Sequence, residues 1–104
     1  MVMAAGPMEN LKQAILDLHG CDAEWVGSVP VTETFQGQVV WDGTVEVFDL
    51  IGHPTTSRCY AWSHAVEGSD NRRFVAVLHQ PPVDSPRAAV RAAIVHQERG
   101  HNDN

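Results

Sequence analysis

Histidines and carboxylates in the middle of the chain are the first residues whose types could support chemistry. His64 and His79 stand in a β-rich region that also contains the acids Glu46 and Asp49. A histidine within hydrogen-bond distance of a carboxylate would provide the acid–base pair of a small hydrolase or isomerase. Nothing in the spacing sets the distance between these groups, so solvated strand residues remain the favoured interpretation of the acids.

The other histidines favour structural roles. His53 lies in a Gly-His-Pro loop, and loops often carry catalytic groups, but a surface role is favoured. His19 and His96 lie near predicted helix C-termini, where a partly charged imidazole suits the helix dipole. His101 belongs to a polar tail. We predict no metal and no cofactor, because the chain has no cysteine–histidine ladder with the spacing of a zinc site.

The two cysteines, Cys21 and Cys59, are predicted to be free thiols without a catalytic role. They form no C-x-x-C pair. A thiol nucleophile must be reachable from solvent and activated by a neighbouring group. The strand pattern turns Cys59 toward the core, which favours an inert core residue.

Three tryptophans, Trp25, Trp41 and Trp62, fall in three different predicted strands. Tryptophans in a small domain are usually core or interface anchors. If two or more of them share a face with Tyr60, they would form an aromatic-walled cleft suited to a planar or apolar molecule. The sequence favours the core over the cleft and leaves both open.

Two predicted helices flank the β-rich region. Residues 8–19 place apolar side chains at helical spacing, with a proline just before them and a glycine just after. A second helix is predicted over residues 86–98, with Ser85 as N-cap and Gly100 after its last turn. Its inward stripe is rich in alanine, which allows a close approach to the element it covers. The stripe comprises Ala89, Val90, Ala93, Ile94 and Gln97, and the solvent side carries Arg87 and Arg91.

Residues 23–80 are predicted to form strands and turns. Gly27 and Pro30 interrupt the first segment, which favours the edge of a sheet. The longest β-rich run follows, and the Asp42-Gly43 pair in its middle is either a tight hairpin turn or a bulge in one long strand. We favour the bulge, because a hairpin would leave two very short strands.

A second pair of strands, "RCYAWSHA" and "RRFVAVLH", is predicted to form a hairpin around a Gly-Ser-Asp-Asn loop. With Glu67 opposite Arg72, Trp62 lies opposite Val77, and alternation sorts the side chains onto two faces. The small-residue face carries Cys59, Ala61, Ser63, Ala65, Phe74, Ala76 and Leu78. The aromatic face carries Tyr60, Trp62, His64, Val75, Val77 and His79.

We therefore predict an α+β fold, with an antiparallel three- to four-stranded sheet and both the N- and C-terminal helices packed on one face, the small-residue face. Residues 1–104 form one small domain, with disorder confined to 1–7 and 100–104. The aromatic face then turns outward. Because monomers seldom expose large apolar patches, we expect that face to be a dimer surface, the wall of a ligand pocket, or covered by the edge strand and the N-terminal segment.

Charge and hydropathy argue against two classes of partner. The net charge is −6, and residues 1–57 carry eight acids against a single lysine. Nucleic-acid binding needs a basic surface, so no nucleic acid is predicted. No run approaches the roughly 18 apolar residues of a membrane span, and the N-terminus lacks the features of a signal peptide. We expect a cytoplasmic protein with no membrane partner.

The stretch "VVWDGTVEVFDLIGHPTTSRCYAWSH", with "AVLHQPPVDSPRAAVRAAI" downstream, resembles a family of short uncharacterised bacterial proteins encoded by integron gene cassettes and mobile metagenomic DNA. The resemblance covers about residues 20–95. It implies a small α+β fold, the bacterial cytoplasm and oligomerisation, with no established activity and no site residues to transfer.

No motif specifies a reaction. We predict a small binding or interaction module that forms a homodimer or binds a small apolar or planar ligand through the aromatic face. The alternative is the small hydrolase or isomerase with a histidine–carboxylate pair. The candidate ligand-binding or interface residues are Tyr60, Trp62, His64, Val75, Val77 and His79.

Overall fold

The computed structural model confirms an α+β fold with a four-stranded antiparallel sheet and one helix at each end of the chain. It describes the backbone of residues 7–65, 68 and 72–102, and the side chains of 8–65, 68 and 72–96. The elements are α1 (Pro7–His19), β1 (Asp22–Phe35), β2 (Gln38–Ile51), β3 (Arg58–Ala65), β4 (Arg72–Leu78) and α2 (Pro86–Asn102).

Local signals in the sequence account for the helix ends. Gly20 follows α1 with a φ of 73°, and its N–H donates to the Leu16 carbonyl at 2.8 Å, which closes the last turn. Ser85 caps α2, since its side-chain oxygen accepts the Ala88 N–H at 3.1 Å. Contrary to our prediction of disorder at residues 7 and 100–102, Pro7 belongs to α1 and α2 continues past Gly100 to Asn102. The rest of the predicted disorder, at residues 1–6 and 103–104, lies outside the described residues.

The strands lie in the order β1-β2-β3-β4, so β1 is an edge strand as predicted. β2 passes through Asp42-Gly43 without a turn, which confirms one long strand. The irregularities in its pairing with β1 lie elsewhere, where Val26 of β1 and Val40 of β2 have no opposite residue. Asp42 and Gly43 themselves pair regularly.

The hairpin of β3 and β4 has the predicted faces and a different register. Ala65 lies opposite Arg72, so six residues connect the strands where we predicted four, and Trp62 lies opposite Val75 rather than Val77. The difference is two residues along the strand. A shift of two preserves the alternation, so each side chain stays on its predicted face.

The two helices cover opposite faces of the sheet, and the prediction that both lie on one face is wrong. Leu11 and Ile15 of α1 pack with Cys59 and Ala61 on the small-residue face. Residues of α2 pack with Tyr60, Trp62 and other members of the aromatic face. The reason is complementary size: the large side chains of α1 fill the space above small residues, whereas the alanines of α2 leave room for rings.

Candidate functional site

A cleft of about 600 Å³ lies between the aromatic face and the middle of α2. Its apolar walls come from three strands and the helix, because β2, β3 and β4 each turn alternate side chains toward α2. The cleft is lined by Trp41, Asp42, Trp62, His64, Arg73, Val75, Ala76, Val77, Ala92, Ala93, Ile94 and His96.

Two tryptophans form the aromatic wall of the cleft. The rings of Trp41 and Trp62 meet edge to face, with centroids 5.5 Å apart and planes at 74°. Trp62 is buried and Trp41 is partly exposed. Of the two roles that the sequence left open, Trp62 therefore fills both, as a core residue and as part of a cleft.

Gly43 makes room for the ring of Trp41. The two residues are two apart on β2 and so point to the same face. A Cβ on residue 43 would lie 3.2 Å from the Trp41 ring, closer than an ordinary contact. The glycine that we took as a mark of a turn or bulge therefore allows an indole to lie over the strand.

The other wall of the cleft belongs to α2. Ala92 and Ala93 present little more than methyl groups, and Ile94 lies beside them. Small side chains on the helix do not fill the space above the rings, which leaves a cleft in place of a continuous core. The alanine-rich stripe predicted from the sequence thus contributes to the site as well as to packing.

The rim of the cleft carries basic side chains. His64 of β3 and Arg73 of β4 are directly opposite each other in the strand register. His96 of α2 also lines the cleft. Asp42 borders it, but its Oδ1 accepts a hydrogen bond from Thr32 Oγ1 at 2.7 Å, and strand alternation places this carboxylate on the face opposite Trp41.

Four of the six predicted site residues line the cleft: Trp62, His64, Val75 and Val77. The other two, Tyr60 and His79, bond to each other through Tyr60 Oη and His79 Nδ1 at 2.6 Å. Burial raises the pKa of the Tyr60 phenol. The outward orientation of the aromatic face was wrong, because α2 covers it; ligand binding by these residues stays a prediction.

The proposed histidine–carboxylate pairs have other hydrogen-bond partners. Glu46 accepts the Trp25 Nε1–H at 2.9 Å and the Ser28 hydroxyl. Asp49 pairs with Arg58 at 3.2 Å. Within the ranges that the structure describes, no histidine makes a hydrogen bond to a carboxylate. The acid–base alternative therefore has no assembled pair on which to build.

The remaining histidines have varied surroundings. His53 Nδ1 accepts the backbone N–H groups of Thr55 and Thr56 at 3.2 and 3.3 Å, which organises the loop before β3. His19, at the end of α1 as predicted, lies 3.0 Å from the Ala76 carbonyl oxygen. His96 lies well before the end of α2, contrary to prediction, because the helix is longer. The side chain of His101 is outside the described part of the chain.

Both cysteines are free thiols, as predicted, and both are buried, which was predicted for Cys59 only. Burial raises the pKa of the Cys59 thiol to about 12, with a further contribution from Cys21. The Cys59 thiol is therefore protonated at neutral pH and is no nucleophile. Among residues with described side chains, no group of three or more histidines, cysteines or acids could hold a metal ion. No described helix is both long and apolar enough to cross a membrane.

A carboxylate that we did not predict as functional, Glu33, links α2 to the sheet beside the cleft. Glu33 of β1 lies opposite Trp41, and its side chain is only 9% exposed. It accepts hydrogen bonds from Arg87 and Arg91, which we predicted on the solvent side. Arg87 also donates to the Thr32 carbonyl at 2.8 Å. One turn of the helix separates the two arginines, so both reach the same carboxylate.

This arrangement predicts acid sensitivity. The Arg91 hydrogen bond, opposed by burial and aided by Arg87, lowers the pKa of Glu33. A carboxyl whose pKa is lower in the folded state stabilises the fold above its unfolded pKa, and this stability is lost as the pH falls through the folded value. We therefore expect the free energy of unfolding, measured with urea, to fall less between pH 7 and about pH 3.5 in Glu33→Gln than in the natural chain.

Asp49→Asn is the matched control for that experiment, since it removes an exposed carboxylate from a single arginine. Its loss of stability between the two pH values should stay close to that of the natural chain, because exposed pairs contribute little. Equal losses in the natural chain and in Glu33→Gln would show that Glu33 does not couple α2 to the sheet.

Comparisons with known proteins give no information about the function of the cleft. No protein-family model matches the chain, and neither the curated proteins nor the solved structures contain a match.

Proposed function

We propose that this protein binds a small planar or apolar molecule in the cleft between the aromatic face and α2. The observation that carries the proposal is the pair of indoles, Trp41 and Trp62, on one wall of a cleft of about 600 Å³. Clefts that bind small molecules typically have volumes of about 300 to 1,000 Å³, apolar walls and a few polar groups. This cleft has each of those properties.

The partial exposure of Trp41 supports binding rather than packing alone. Trp62 is covered by α2 and is part of the core, whereas Trp41 keeps part of its ring accessible at the cleft. A planar molecule placed against that ring would remove apolar surface of both partners from water, which is the main favourable term for such ligands. The absence of a side chain at Gly43 leaves the space that this ring occupies.

A neutral fluorescent probe tests the proposal. N-phenyl-1-naphthylamine becomes brighter in apolar surroundings, so its titration into the protein should give a saturable rise in emission. Trp41→Ala should weaken its binding about tenfold, because the variant removes the accessible half of the aromatic wall. Competition with this probe then measures the affinity of naphthalene derivatives whose own fluorescence does not report binding.

Trp25→Ala is the matched control. Trp25 is another partly exposed indole, but it lies on the other face of the sheet, where it donates to Glu46. The probe should bind this variant as it binds the natural chain. A probe that does not bind, or that loses the same affinity in both variants, would contradict a site at the cleft.

Homodimer formation stays a separate proposal. We predicted it through the aromatic face, but α2 covers Tyr60 and Trp62, so a dimer contact needs other residues. We also retain the bacterial cytoplasm and the relation to integron gene-cassette proteins as proposals, on the strength of the sequence resemblance. The acid–base enzyme is not carried forward, because no observation favours it over binding.

A further inference from the structure

We propose that the molecule bound in the cleft carries an acidic group, such as a carboxylate, and that Arg73 receives it at the rim with His64 and His96 beside it. This inference rests on the proposed function, since it names the class of ligand for the same cleft. The apolar walls would hold a ring system, and the rim would hold the charged end.

Arg73 is distinguished by having no hydrogen-bond or ion-pair partner among the residues that the structure describes. The structure describes the side chains of five arginines, and four of them are engaged. Those four are Arg58 with Asp49, Arg72 with Ser63, and Arg87 and Arg91 with Glu33. Arg73 makes no hydrogen bond or ion pair with any described residue, although it lines the cleft.

The positions of the rim residues suit a single anionic group. His64 and Arg73 are opposite each other on adjacent strands, and both side chains lie on the aromatic face. His96 approaches the same cleft from the helix. A guanidinium presents two parallel N–H donors to a carboxylate. His64 Nδ1 already lies 3.3 Å from the Ala65 carbonyl oxygen, so Arg73 is the main donor on the strand side, and a ring N–H of His96 adds a donor on the helix side. The geometry therefore provides donors on both sides of the cleft mouth.

No carboxylate side chain competes for this rim among the described residues that line the cleft. Asp42 is the one acid there, and its Oδ1 is bonded to Thr32 on the opposite face of the strand. The basic rim is also unusual for this chain, whose net charge is −6. Arg73 therefore supplies local positive charge for an anion at this cleft in a chain whose net charge is negative.

A pair of isosteric probes isolates the contribution of the charge. Naphthalene-2-carboxylate and naphthalene-2-carboxamide share a ring system and differ in charge, and each is titrated against bound N-phenyl-1-naphthylamine. The carboxylate should bind about fivefold to tenfold more tightly than the amide, a range set by a charge-assisted bond at a partly hydrated rim. In Arg73→Gln the preference should fall to near unity, mainly because the carboxylate binds more weakly.

Arg72→Gln is the matched control, because it removes the same charge one residue away, from a side chain that bonds to Ser63 on the small-residue face. It should keep most of the preference for the carboxylate. Equal binding of both probes by the natural chain, or an equal loss of the preference in the two variants, would contradict an anionic ligand. Either result would leave the proposal of ligand binding in the cleft intact. If neither probe displaces the dye and the dye itself does not bind, the proposed function fails instead.

Discussion

Replacing Trp62 by alanine should lower the free energy of unfolding by about 3 to 5 kcal/mol, the usual cost of removing a large buried aromatic side chain. Trp62 is 3% exposed and lies between the sheet and α2, with its ring against Trp41. A domain of this size has a total stability of about 5 to 15 kcal/mol, so the variant would lose a large share of it. Urea denaturation followed by circular dichroism measures the change.

The Trp62 experiment also tests where α2 lies. If the aromatic face turned outward, as the sequence alone suggested, Trp62→Ala would remove a surface ring at a cost below about 1 kcal/mol. Trp25→Ala provides that comparison directly, since Trp25 is 50% exposed. Similar small losses in both variants would place Trp62 at the surface and remove the cleft with it.

The second large effect is expected at Phe48. Its side chain is 0% exposed and packs beneath α1 with Leu11, Ile15 and the small-residue face. Phe48→Ala should cost about 3 to 5 kcal/mol, because neighbours such as Cys59 are too small to fill the vacated volume. The same urea titration measures the loss, and binding of N-phenyl-1-naphthylamine to the folded variant should be retained.

Phe35→Ala controls for the loss of a phenyl ring. Phe35 is 65% exposed at the end of β1, so its removal should change the stability by less than about 0.5 kcal/mol. A comparably small effect of Phe48→Ala would contradict a core between α1 and the sheet. Loss of probe binding in folded Phe48→Ala would contradict our conclusion that the core beneath α1 and the cleft beneath α2 lie on opposite faces of the sheet.

Local physics explains the parts of this fold that could be predicted from sequence. Proline and glycine mark the starts of the helices and the end of α1 because they restrict or free the backbone at a single residue. The residues of β3 and β4 fall on their predicted faces because alternation depends only on the strand conformation. A register two residues from the predicted one changed the partners of Trp62 and left its face unchanged.

The candidate site was only partly predictable, because local patterns assign residues to a face but do not show which distant residues meet there. Trp62, His64, Val75 and Val77 were selected from their common face, and they line the cleft. Trp41 was linked to them only as one of the open alternatives. Arg73 was not selected at all, because nothing about one arginine in the "NRRF" stretch distinguishes it until the partners of the others are known.

The sequence by itself determined the element order, the α+β class and the division of the hairpin into a small-residue face and an aromatic face, since each follows from residues close together in the chain. Only the tertiary structure decided which helix covers which face, because that choice depends on the fit of side-chain volumes far apart in sequence. The bonds of Glu33 to Arg87 and Arg91 span more than 50 residues, and no local pattern contains them. The cleft exists because the alanines of α2 stand over the rings of Trp41 and Trp62.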